Sequence, residues 1–346
     1  MDFIIFHLNV ISSLKSINFE EFLLTLNGMT PKILIIGACG QFGSELTFKL
    51  RALYGDNNVI ASDISYSNLD IVNSGIFEIV DAQDYAAIKI CVEKHRINTV
   101  YLMAAMLSAT GEKFPMKAWD LNMTSLFHIL NLAKAKFISK VFWPSSIAVF
   151  GSTTPKENTP QYTVMEPSTV YGITKQVGER WCEYYYDKYK VDVRSLRYPG
   201  IISWKTQPGG GTTDYAVEIF HKAITDKYYE CFISENTALP MMFMDDAIKA
   251  TIDIMSSEED KVKIRSSYNL AGLSITPKEL ANSIKDQIPD FKITYNPDYR
   301  QAIADSWPKS IDDSNAREDW GWNHEFSLQD ITNKMLIQLD KKYNNK

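Results

Sequence analysis

The chain has 346 residues, 45% of them hydrophobic, enough to bury a substantial core in one or two domains. Its formal net charge of −6, carried without a basic block, argues against a phosphate-tracking nucleic-acid surface. No apolar run approaches the roughly 18 residues of a membrane span; the five histidines show no metal-site spacing, so no metal is expected; and Cys39, Cys91, Cys182 and Cys231 lie far apart, as core thiols of a reducing compartment would.

Residues 1 to 30 contain one Lys, no Arg and three acidic residues, a composition that disfavours a signal or transit peptide. Within them Asn18, with Glu21 three positions on and then Phe22, Leu23, Leu24, Leu26 and Gly28, reads as a short capped helix. The alternative is a physiological start at Met29. From Lys32 onward, strand-like runs alternate with helical patterns: KILIIGA (32 to 38), NVIASDI (58 to 64), FEIVDA (77 to 82), TVYLMAA (99 to 105), KVFWPSS (140 to 146) and DVRSLRYP (192 to 199). Between them SELTFKLRALYG, closed by Gly55, and residues 118 to 137 have helical spacing. Such alternation predicts an α/β fold with a doubly wound parallel sheet, its strands apolar throughout because helices cover both faces. Past residue 200 the rhythm fades. Residues 31 to 203 with 241 to 272 are therefore expected to form the sheet domain, 204 to 240 with 273 to 338 a smaller substrate-covering region, and 339 to 346 a tail.

The turn after the first strand, GACGQFGSEL, sets Gly37, Gly40 and Gly43 around Gln41 and Phe42 as a helix begins. Glycines at that spacing serve a tight turn, close approach of the backbone to a diphosphate, and helix-on-strand packing, with the helix N-terminus facing the anion. Asp63, twenty residues after Gly43 at the end of the second strand, is placed to accept both ribose hydroxyls of NAD and to repel the 2′-phosphate of NADP. Asp81 is positioned to hydrogen-bond the adenine, and Ala104 and Ala105 to leave room for the cofactor; all three are equally explained as ordinary strand ends.

In EPSTVYGITKQVGERW (166 to 181), Pro167 and Ser168 favour a helix start, and Tyr171 and Lys175 then share one helical face. A free phenol near pKa 10 is a poor base, and a neighbouring ammonium stabilises its phenolate. Lys175 is expected to do this while holding the nicotinamide ribose, with Ser146 at the carboxyl end of the fifth strand donating to the reacting oxygen.

The glycine turn, the strand-end serine and the Tyr-x-x-x-Lys helix together resemble the extended short-chain dehydrogenase/reductases, which have a Rossmann fold. More closely, PSSIAVFG, EPSTVYGITKQ, RYPGIISWKTQPGGGTTDYA, ALPMMFMDDAIKATIDIM and RQAIADSWPKSIDDS resemble the short-chain type of L-threonine 3-dehydrogenase, over residues 32 to 338. The resemblance implies oxidation of the L-threonine side-chain hydroxyl by NAD, with Tyr171 as base and Ser108, Ser146, Tyr171, Gly211, Thr212 and Thr213 touching substrate. It also implies a homodimer joined through the helices near 118 and 169, and transfer of the product to a 2-amino-3-oxobutanoate CoA ligase. An epimerase or dehydratase of nucleotide sugars is the alternative on the same fold. The location is expected to be cytoplasmic, or mitochondrial if the leader is a targeting segment.

Thr212 or Thr213 also suits a plain helix cap, and Asp214 is a candidate partner for the substrate ammonium. The DSWP segment, 305 to 308, is expected to close over the site or to pack the carboxyl-terminal region. Asp245 and Asp246 fit a helix start better than acid/base chemistry. Tyr184, Tyr185, Tyr186 and Tyr189 read as packing from Trp181.

Overall fold

A computed structural model describes residues 30 to 209 and 211 to 344, so the expectations for residues 18 to 28 and for Met29 lie outside the described residues. β1 (Ile33–Ile36) has four buried apolar side chains in a row and runs through a turn into α1 (Gln41–Tyr54), which Gly55 ends at φ 85°. β2 (Val59–Asp63), α2 (Leu69–Asn73), β3 (Phe77–Ile79), α3 (Tyr85–His95) and β4 (Thr99–Leu102) follow. Next come α4 (Ser108–Lys113), α5 (Pro115–Lys134), β5 (Lys140–Ser146), α6 (Val170–Tyr189) and β6 (Asp192–Tyr198).

These strands form one parallel sheet whose seventh member, β10 (Tyr268–Asn269), arrives late in the chain; the order is β10-β6-β5-β4-β1-β2-β3. Alternate side chains serve opposite faces, as the period of two in a strand requires. Ile33 and Ile35 join Leu46 and Leu50 of α1 on one side, while Leu34 and Ile36 join Ile88 of α3, Leu126 of α5 and Cys182 of α6 on the other. Both faces are thus covered, and the order reverses between β1 and β4, opening a crevice at the carboxyl ends of those strands.

Beyond β6 the chain builds a second unit from short pieces: β7 (Gly200–Ile202), α7 (Tyr215–Thr225), β8 (Tyr228–Cys231) and β9 (Leu239–Phe243). α8 (Met244–Ser256) and β10 return to the main sheet, and β11 (Leu273–Ile275), α9 (Pro277–Lys285), β12 (Lys292–Tyr295), α10 (Arg300–Ser306), α11 (Ser314–Trp320) and α12 (Leu328–Asn344) complete the molecule. β11, β9 and β7 make a three-stranded sheet and β12 pairs with β8. A separate core of Phe220, Ile233, Leu280, Phe291, Met335 and Leu339 lies between α7, α9 and α12. No helix among the described residues is long and apolar enough to cross a membrane.

Several expectations are corrected in detail. The long helix spans 115 to 134 rather than 118 to 137, because Pro115 supplies its first turn. The helix bearing Tyr171 begins at Val170 rather than at Pro167 or Ser168, capped by Thr169, whose hydroxyl accepts the Gly172 amide at 3.1 Å. Residues 339 to 344, expected as a tail, continue α12. Asp245 and Asp246 do open a helix, and Asp246 also accepts the Glu325 amide at 2.8 Å.

Candidate functional site

The glycine turn occupies the crevice where the strand order reverses. Gly37 has φ +91°, and a Cβ there would lie 2.5 Å from the Ala104 amide nitrogen. One on Gly43 would lie 2.1 Å from the Gly37 carbonyl oxygen. The chain itself therefore forbids side chains at both positions. Gly40 differs: a Cβ on it meets nothing closer than 3.4 Å, and the residue is exposed, so the space beside it is open to a ligand rather than to the protein. α1 starts at this point with no side-chain cap and no acidic residue in its first turn, which leaves its amides and the positive end of its dipole free for an anion. Gln41 is exposed, and the Phe42 ring packs 5.0 Å from that of Tyr198.

Asp63 ends β2 half-buried, and its carboxylate accepts the Cys39 amide at 2.9 Å and the Ile64 amide at 2.8 Å. The acid is thus tied to the glycine turn and keeps further lone pairs for hydroxyl donors. Cys39 is half-exposed in this turn, unlike the other three cysteines, which are buried as expected. Asp81 lies in the loop past β3 and accepts the Gln83 amide at 2.8 Å. Ala104, half-buried, gives its amide to the Ile36 carbonyl at 2.9 Å, and Ala105 follows it in the loop after β4. A dinucleotide fits these residues: an open glycine, a bare helix end and an anchored carboxylate at one crevice.

Ser146 and Tyr171 come together at the carboxyl end of β5, where the Ser146 hydroxyl is near enough to ease ionisation of the Tyr171 phenol. Lys175, almost fully buried, does not reach the phenol directly. Its ammonium donates to the Pro144 carbonyl at 2.6 Å and lies 4.5 Å over the Trp143 ring and 5.5 Å over the Tyr171 ring. Burial pulls the lysine down to about 7. Tyr171 keeps part of its surface open, yet the protein around it pushes the phenol up to about 12, against the effect of Ser146. The expectation that a nearby ammonium pulls the phenol towards the working range is therefore corrected for the protein by itself, where desolvation dominates.

Sequence reasoning missed two buried networks that set this geometry. Glu179, one helical turn past Lys175, accepts the Ser145 hydroxyl at 2.6 Å and both arms of Arg197 at 2.9 and 2.8 Å, locking α6 to β5 and β6. Asn122 of α5 accepts the Met106 amide at 2.8 Å, donates to its carbonyl at 3.1 Å and reaches the Thr174 hydroxyl at 3.1 Å, so it fixes the loop after β4 against α6. The i to i+4 spacing of Lys175 and Glu179 is the one legible signal. Asn122 has none.

The other candidates come to the same sheet edge by topology. Ser146 pairs in register with Tyr198, and a Cβ on Gly200, two residues later, would lie 2.7 Å from the Thr213 side chain. Thr212 is buried and Gly211 half-buried. Neither threonine caps α7, since the position before the helix is Asp214, whose carboxylate accepts the Gly209 and Gly211 amides at 2.7 and 2.8 Å. Asp214 closes its own loop through one carboxylate oxygen, Oδ2, which accepts both amides. Ser108 is the half-buried first residue of α4, beyond the loop that Asn122 holds. In the DSWP segment, Trp307 packs against the cluster of Ile147, Val149 and Phe150 that follows Ser146, and the Ser306 carbonyl accepts the Lys156 ammonium at 2.5 Å.

A doubly wound parallel sheet with an unobstructed glycine turn, joined at its carboxyl edge to a Ser-Tyr-Lys cluster, defines an enzyme that works with a bound dinucleotide. The chain belongs to the NAD dependent epimerase/dehydratase family, whose model matches residues 33–271, and its cofactor is NAD. It is 45% identical to an uncharacterized epimerase/dehydratase of Staphylococcus haemolyticus over 317 residues, 91% of this chain and 99% of that protein. Among solved structures it is similar to the GalE-like L-threonine dehydrogenase of Cupriavidus necator in its holo form, with 56% identity and TM-score 0.87 over 89% of this chain and 100% of that one. The L-threonine dehydrogenase of Clostridium difficile gives 46% identity and TM-score 0.88 over 90% and 98%.

Proposed function

We propose that the protein is an NAD-dependent L-threonine 3-dehydrogenase that oxidises the side-chain hydroxyl of L-threonine to 2-amino-3-oxobutanoate. NAD, when bound, accepts as hydride the hydrogen on the hydroxyl-bearing carbon. Gly37, Gly40, Gln41, Phe42, Gly43 and Asp63 hold it, with Asp81, Ala104 and Ala105 around the adenine and ring. Tyr171, as phenolate, takes the hydroxyl proton; Ser146 steadies the developing carbonyl oxygen; Lys175 holds the ribose and the charge balance beside the phenol. Ser108, Gly211, Thr212 and Thr213 receive the amino-acid end. In this reading the first sheet binds cofactor and the second unit shapes the substrate site.

The carrying observation is the meeting of Ser146, Tyr171 and Lys175 at the sheet edge, in a chain so similar along its length to proteins named L-threonine dehydrogenases. The names of the curated relatives favour a second reading, an epimerase or dehydratase, for which nucleotide sugars are the substrates to test. Supplying NAD with L-threonine, L-serine or UDP-sugars separates the two. NADH accumulating with L-threonine supports the first; a UDP-sugar converted without net NADH supports the second; no change with any substrate leaves an NAD-binding module.

A homodimer is part of the proposal. Phe114, Met116 and Trp119 at the start of α5 and Ile173, Trp181 and Tyr184 on α6 are large apolar side chains left exposed, and light scattering tests whether a second copy covers them. A β-keto acid decarboxylates readily, which favours direct transfer to a 2-amino-3-oxobutanoate CoA ligase. The four free thiols suit a cytoplasmic location.

A further inference from the structure

The loop from Ser203 to Asp214 carries Gly211, Thr212 and Thr213, yet its described residues have no strand ladder or helix of their own to fix them. We propose that Tyr343, on the last turn of α12, is a positioning residue that holds this loop in its substrate-receiving form through Gln207, with Glu45 of α1 holding the loop's root. The proposal rests on the reading above that this loop receives the amino-acid end of the substrate.

Gln207 Nε2 donates to the Tyr343 hydroxyl oxygen at 3.0 Å, and that hydroxyl lies 2.8 Å from His221 Nδ1. An amide nitrogen only donates, so Gln207 is the donor to the phenol oxygen, while the contact with His221 runs from the phenol proton to Nδ1 or from Nδ1–H to the phenol oxygen according to the imidazole tautomer. Burial holds His221 down at about 4, which keeps the ring neutral and able to accept. Its Nε2 has no hydrogen-bond partner among the described residues, so the tyrosine hydroxyl is the contact that uses the ring. The two rings also pack edge to face, 5.9 Å apart at 82°. Beside them the Lys342 ammonium donates to the Lys205 carbonyl at 3.3 Å.

At the root, the Ser203 hydroxyl donates to Glu45 Oε1 at 2.8 Å, and the Lys205 ammonium pairs with Glu45 Oε2 at 3.2 Å. Glu45 is buried two residues past Gly43, on the helix whose start faces the cofactor. The loop is thus tied to the cofactor helix at one point and to the C-terminal helix at another. A glycine-rich segment released from such ties regains conformational freedom that the substrate must then remove on binding. Among the described residues Tyr343 hydrogen-bonds only Gln207 and His221, neither of them in the catalytic cluster, so it acts on substrate affinity and not on the chemical step.

The test is Tyr343→Phe in the full chain, which keeps the ring and deletes the hydroxyl. KM for L-threonine should rise about three- to tenfold, the worth of one hydrogen bond, while kcat and the KM for NAD stay within about twofold. Gln207→Ala should give the same shift, and the double variant no more than either single one. A fall in kcat at unchanged KM, or additive effects, overturns the proposal. Amide hydrogen exchange of residues 205 to 211 without substrate separates this from the proposed function. Faster exchange in the Phe variant supports the tether even if the wild type leaves threonine untouched, and identical exchange overturns it.

Discussion

The two ends of the candidate site are held by different means. At the proposed cofactor end the site is built mainly from backbone: Gly37 and Gly43 are packed against the chain, Gly40 stands open, and Asp63 is pinned by the amide of Cys39 inside the same turn. At the substrate end side chains do the holding, and they come from far away in sequence. Gln207 meets Tyr343 across 136 residues and Ser203 meets Glu45 across 158. A backbone site needs only a strand, a turn and a helix in succession. A loop without its own ladder needs contacts that only the finished fold supplies.

Tyr171 stands where the two ends join, so its loss should have the largest effect. Tyr171→Phe is expected to lower kcat about a thousandfold, the middle of the range for a missing general base, while NAD affinity measured by calorimetry stays within a factor of about two. Turnover that survives the substitution breaks the assignment.

The contrast within the glycine turn sharpens the comparison. Gly37→Ala forces a side chain to φ +91° and onto the Ala104 amide, and should cost about 2–5 kcal/mol of stability by urea unfolding. Gly40→Ala should leave stability within about 0.5 kcal/mol and yet weaken NAD binding about ten- to a hundredfold, because only the ligand needs that space. Equal effects on stability would remove the distinction between a glycine kept for the fold and one kept for the cofactor.

A pH-dependent effect is expected from Lys175. Its proton is held less well in the folded protein, about 7, than at the ordinary lysine value of 10.5. Between those two values the unfolded chain binds more protons than the folded one, so the stability of the ligand-free protein gains from this group as pH rises from about 7 toward 10.5. Below about 7 both states are protonated and the gain is absent. Lys175→Met should therefore abolish that upward trend in melting temperature between pH 7 and pH 9. A variant that keeps the same trend shows that another group causes it.

The cofactor half is largely legible in the amino-acid sequence. All six strand runs up to residue 199 appear as strands, and the glycine turn, Asp63, Ser146 and the Tyr171 to Lys175 spacing lie where local periodicity puts them. Helix ends are less so, since α6 starts after Thr169, whose hydroxyl accepts the Gly172 amide, and not at Pro167 or Ser168. In the second unit three-residue strands carry too few residues for a period to show, and β9 carries Pro240 within it, a residue that argues against a strand. The pKa of Tyr171 escapes sequence reasoning for a physical reason. Spacing reveals which charges are near, whereas desolvation depends on everything packed around the group, and here it dominates.

The central claim is that this site moves hydride from the hydroxyl-bearing carbon of an amino acid to NAD while Tyr171 takes the proton. L-Threonine deuterated at that carbon tests it most directly, with the NADH formed examined by mass spectrometry. One deuterium in the nicotinamide ring per turnover, lost along with turnover itself in Tyr171→Phe, is the predicted result. Unlabelled NADH, or label transfer undiminished by that substitution, would contradict it.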